Sequence, residues 1–124
     1  MQNPLQITFR DMAHSDALET HIREKAAKLD AHFAHLTSCH VTLEQPHKHK
    51  HQGKAFRVHI SLHVPGEDIV INRHEDEDAY VALRDAFDAA KRQLEEYARR
   101  LRGEVKHHDN GARSTGDATT DAAE

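Results

Sequence analysis

Thirteen of the 124 residues are histidine, and three of them alternate with lysine in His47-Lys48-His49-Lys50-His51. Together with His40, His59 and His63 they could offer imidazoles to Zn²⁺ or Ni²⁺. No Cys or carboxylate completes a recognised ligand spacing, however, and the interleaved lysines repel a cation, so no metal or other cofactor is assigned. A solvated basic loop accounts for the same residues. So does a loop that touches phosphate and gains charge as its imidazoles protonate near their ordinary pKa of about 6.5, and a mixture of these two readings is favoured. Nucleophilic catalysis would have to use Ser61 with His59 or His63. All three share a strand face, but about 7 Å separates i and i+2 positions and the sequence shows no orienting acid. The carboxylates of Glu75-Asp76-Glu77-Asp78 suit the start of a helix better than acid–base work. Cys39, the single cysteine, has no charged neighbour to lower its pKa and reads as a small buried hydrophobe. The chain is therefore read as a binding module and not as an enzyme.

The elements that would position these residues follow from periodicity. Leu5, Ile7 and Phe9 alternate with polar residues, as do Cys39, Val41 and Leu43, and both runs predict half-buried strands, the second ending at Pro46. Between them Leu18, Ile22, Ala26, Leu29 and Phe33 recur at steps of three and four behind Ser15, an N-cap residue, and predict a helix over about 15–34. Phe56, Val58, Ile60, Leu62 and Val64 give the clearest alternation and a third strand. The Pro65-Gly66 turn leads to a fourth at Ile69-Val70-Ile71. The acidic run should then open a helix whose stripe is Tyr80, Leu83, Phe87, Ala90, Leu94, Tyr97 and Leu101. Arg99, Arg100 and Arg102 fall in its last turn and Gly103 is its C′ residue. The aromatic members of the stripe are expected in the core and not on a base-stacking platform. Off the stripe, Arg84–Asp88, Lys91–Glu95, Arg92–Glu96 and Glu96–Arg100 could pair at i,i+4.

Strands with one apolar face and helices with one apolar stripe have an economical solution, in which both helices cover one face of a single sheet. The expected fold is α+β, in the order β-α-β-β-β-α, with a four-stranded mixed sheet. One domain is expected over 1–103, with a disordered tail over 104–124, where large apolar residues are almost lacking. A lone thiol fits a reducing compartment, and no run approaches the roughly 20 apolar residues of a membrane span, so a cytoplasmic chain with no membrane partner is expected. With 17 basic and 21 acidic residues the net charge is −4. Binding to nucleic acid therefore has to come from a local patch.

Two stretches add a resemblance: Ile22-Arg23-Glu24-Lys25-Ala26-Ala27-Lys28-Leu29-Asp30-Ala31-His32-Phe33 in the first helix, and Glu77-Asp78-Ala79-Tyr80-Val81-Ala82-Leu83 opening the second. With Arg92-Gln93 and Tyr97 further along, the chain resembles the ribosome hibernation promoting factors and ribosome-associated inhibitors, also called sigma-54 modulation proteins, over roughly residues 3–102. It is similar to their short type. The resemblance implies a translation inhibitor that binds rRNA of the small ribosomal subunit near the decoding channel when growth stops, as a monomer. It implies a basic RNA-binding surface, for which Arg23, Lys25 and Lys28 match the family's basic positions in the first helix; Lys54 and Arg57 at the start of the third strand and Arg99, Arg100 and Arg102 are the other candidates. The family tends to be richer in Lys and Arg in the second helix, where this chain has Ala89, Glu95 and Glu96. A regulatory domain of the same fold that binds protein or metal and has weak or no rRNA affinity is the alternative.

Overall fold

The computed structural model describes residues 5–46 and 55–109, without the side chains of Arg73 and of 104–109. The histidine–lysine run over 47–51, Lys54 and the tail from 110 onward lie outside the described residues. The described residues up to Gln93 form one compact unit and those from Leu94 a second.

Strand β1 (Gln6–Arg10) pairs in parallel with β2 (Ser38–Glu44), with Ile7 opposite Val41 and Phe9 opposite Leu43. Parallel neighbours need a long crossover, and helix α1 (Asp16–His32) supplies it. Ser15 caps α1 by accepting a hydrogen bond from the Leu18 N–H at 3.2 Å. The helix ends at Phe33, whose extended backbone still donates its N–H to the Leu29 carbonyl at 3.0 Å. Strand β3 (Phe56–Val64) runs antiparallel to β2, and Gly66, at φ +91°, turns the chain into β4 (Glu67–Asp76). The sheet order is β1-β2-β3-β4. Register sets Cys39, Val41 and Leu43 opposite Leu62, Ile60 and Val58, and Ile69 and Ile71 opposite Leu62 and Ile60. All of these are buried on one sheet face. With Leu18, Ile22, Ala26 and Leu29 of α1 and Ala82, Leu83, Ala86, Phe87 and Ala90 of helix α2 (Ala79–Asp109) they make the core. Burying a large apolar side chain contributes about 1.5–3 kcal/mol, so this packing, more than intrinsic propensity, keeps a helix of 17 residues formed.

Four expectations are corrected. The acidic run does not open α2: Glu75 and Asp76 belong to β4, drawn out to match the nine residues of β3, with Arg57 opposite Glu75 and Phe56 opposite Asp76. Asp78 is what starts α2. Its side chain accepts from the Tyr80 N–H and its carbonyl from the Ala82 N–H. Tyr80 is 44% exposed and not in the core, because Ala79 takes the buried place in the first turn and the Tyr80 ring meets the His21 ring edge-on, with centroids 4.9 Å apart. Gly103 does not end the helix, which continues to Asp109. A glycine inside a helix costs only about 1 kcal/mol, and Glu104, Val105 and Lys106 after it can all be helical. Arg84, finally, pairs with its neighbour Asp85 at 3.2 Å in place of Asp88.

Candidate functional site

Lys25, Lys28 and His32 are three and four residues apart, so they lie along one flank of α1. Phe87 and Asp88, four and three residues before Lys91, share a flank with it on α2. The two flanks enclose a groove of about 170 Å³. Leu29 and Phe87, 5% and 4% exposed, form its floor with the part-exposed Phe33, and the lysines form the rim. The lining holds three lysines and one carboxylate, Asp88. Among the described residues none of the three lysines makes an ion pair, so their charge is available to an anion. The field is felt nearby: burial first, then the charge of Lys25, hold the His21 imidazole below its usual range, with Lys28 adding to the effect and Glu24 opposing it. The His21 Nε2 is buried without a hydrogen-bond partner.

The other expected basic residues are placed differently. Arg23 is exposed on α1 but held by Glu19 at 2.7 Å. Arg57 stands on the open sheet face, 2.8 Å from Glu75 and 3.7 Å from Glu44, so the fold does not bring it to the lysines of α1 and two carboxylates offset its charge. Arg99, Arg100 and Arg102 are exposed and belong to the second unit, where the Arg100 guanidinium lies over the Tyr97 ring at 5.9 Å. Lys91 and His32 were missed by sequence reasoning. The signal for Lys91 was its position one turn after the core residue Phe87; it was discounted because Glu95 stood ready at i+4.

On the open face the imidazoles do not converge. The His40 Nε2 is 2.9 Å from the Thr8 hydroxyl, His59 is bonded to the Asn72 side-chain oxygen, and the His63 Nδ1 is 2.7 Å from Asp68. Asp68 is thus an acid partner for His63 that the sequence did not reveal, yet Ser61 makes no hydrogen bond to His59 or His63. The cluster of ligating side chains that does converge among the described residues is His14, Asp16 and Glu19 at the exposed start of α1. Its Glu19 carboxylate is held below the usual range, mainly by Arg23 and then by His14. No helix among the described residues is long and apolar enough to cross a membrane.

The fold defines the class first. The chain is similar in structure to the N-terminal domain of Protein Y from Thermus thermophilus, with a TM-score of 0.62 and 26% identity over 74% of this chain and 94% of that one. It also has the fold of a ribosomal subunit interface protein from Coxiella burnetii, with a TM-score of 0.58 and 20% identity over 76% and 96% of the two chains. The family follows from sequence. Residues 5–102 match the Sigma 54 modulation protein / S30EA ribosomal protein family, and the chain belongs to it. A ribosome hibernation promoting factor from Azotobacter vinelandii is 33% identical over 92 residues, which is 73% of this chain and 78% of that protein.

Proposed function

We propose that this protein is a cytoplasmic ribosome hibernation factor that binds rRNA of the small subunit near the decoding channel and inhibits translation by occupying the path of messenger and transfer RNA. The groove between α1 and α2 carries this reading, because Lys25, Lys28 and Lys91 line it without an ion-pair partner among the described residues, on a chain whose net charge is −4. Phosphate contacts through such a patch supply affinity without sequence information. Arg99, Arg100 and Arg102, all exposed, add positive charge for rRNA. Arg23 and Arg57 are secondary, because they would have to exchange Glu19, or Glu75 and Glu44, for phosphate. Lys54, just before the third strand in the sequence, is retained as a further basic candidate. The protein acts as a monomer, without metal or cofactor, by binding and not by catalysis. Co-sedimentation with separated ribosomal subunits tests the reading: the protein should pellet with small subunits at low salt and be released as salt rises. Absence from the small-subunit pellet at every salt concentration would overturn it and leave a protein-binding regulatory domain in its place.

A further inference from the structure

The groove is more than a charged surface, and its floor says what kind of RNA it suits. A cationic patch that only tracks a backbone needs no apolar floor, yet here Leu29, Phe33 and Phe87 lie beneath the lysines. Phe87 is fixed in the core, while Phe33, the residue that closes α1 in an extended conformation, is half-buried and lines the groove. At about 170 Å³ the groove is smaller than the roughly 300–1,000 Å³ of sites that enclose a whole ligand molecule. It suits one planar ring whose remainder stays outside. The rim then supplies the second half of the recognition, with Lys25 and Lys28 on one wall and Lys91 on the other, around an object that is flat, apolar on its faces and tied to negative charge.

We propose that the groove between α1 and α2 accepts one unpaired nucleotide of single-stranded RNA, its base against Phe33 and its flanking phosphates on Lys25, Lys28 and Lys91. A base in a duplex keeps its faces stacked and cannot enter, whereas unpaired bases in loops, bulges and ends can be splayed onto an aromatic ring. Asp88, the one acidic group of the lining, can accept from a base amino group or ribose hydroxyl and disfavours a bare phosphate there. The inference rests on the RNA reading above and adds to it a preference for unpaired RNA.

Fluorescence anisotropy of the full chain with a labelled unstructured RNA and with a duplex of the same number of phosphates tests it, alongside ribosome co-sedimentation. The single strand should bind at least about fivefold more tightly, as expected for a base stacked on an aromatic ring. Phe33→Leu, which keeps an apolar residue at the helix end, should remove most of that preference while leaving duplex binding within about twofold. Lys28→Gln should weaken both RNAs. Equal affinity for the two RNAs, or equal loss on both from Phe33→Leu in a protein with unchanged circular dichroism, would overturn the nucleotide site while leaving ribosome binding intact. Tight binding of free AMP that displaces no RNA would overturn it as well, by assigning the groove to a free nucleotide. Loss of small-subunit pelleting would instead sink the reading on which it rests.

Discussion

Single residues set two chemical properties of this domain. Burial pushes the Cys39 thiol up to about 12, so the reactive thiolate is scarce at neutral pH. The folded protein should react with a thiol reagent such as DTNB only on the timescale of unfolding, and with one equivalent in denaturant. Prompt labelling of the native protein would show that β2 opens readily. His21 behaves in the opposite way to a salt-bridged histidine. Its pKa in the folded chain lies below the ordinary 6.5, so the unfolded chain takes up the proton first as pH falls. The stability that His21 lends above about pH 6.5 is therefore lost as pH drops through that value toward the folded pKa. His21→Gln should flatten the fall in urea midpoint between pH 7.5 and 5.5 relative to the parent. An unchanged pH dependence would mean that other histidines carry it.

At the level of elements, most of the fold was legible because one-sided burial writes itself into spacing. Val58, Ile60, Leu62 and Val64 alternate because β3 buries one face, and Leu18, Ile22, Ala26 and Leu29 recur at helical steps because α1 does. The boundaries were less legible, since they depend on partners distant in sequence. The length of β4 is set by β3, and neither acidic residue at its end signals a strand by type. Gly103 reads as a stop signal in isolation but lies inside α2, with open space around the position of a Cβ. Gly103→Ala should accordingly raise stability by about 0.5–1 kcal/mol in denaturant unfolding. A destabilised variant would indicate a non-helical backbone there. The candidate site was half legible. Lys25 and Lys28 were visible through the family resemblance of the first helix, whereas their union with Lys91 needs the packing of two helices that three strands separate in the chain, a distance at which sequence spacing carries no information.

For the whole molecule the deciding quantity is where charge sits, because 21 acidic residues outnumber 17 basic ones. Glu95 and Glu96 are exposed, as their places off the apolar stripe predict, and they set a negative charge among the arginines of α2. Replacing both with Lys should tighten binding to small subunits and steepen its salt dependence with little change in stability. No gain in affinity from a folded double variant would mean that this face of α2 points away from rRNA. The most direct measurement, however, is the slope of log affinity against log salt for small-subunit binding by the parent and by the Lys25→Gln, Lys28→Gln, Lys91→Gln triple variant. Each phosphate left without its lysine should take roughly 0.7–0.9 off the magnitude of the slope, so the variant's slope should be shallower by roughly 2 to 3, with weaker binding at low salt. The same slope and affinity in parent and variant would contradict the account, because the groove between α1 and α2 would then make no contact with rRNA phosphate.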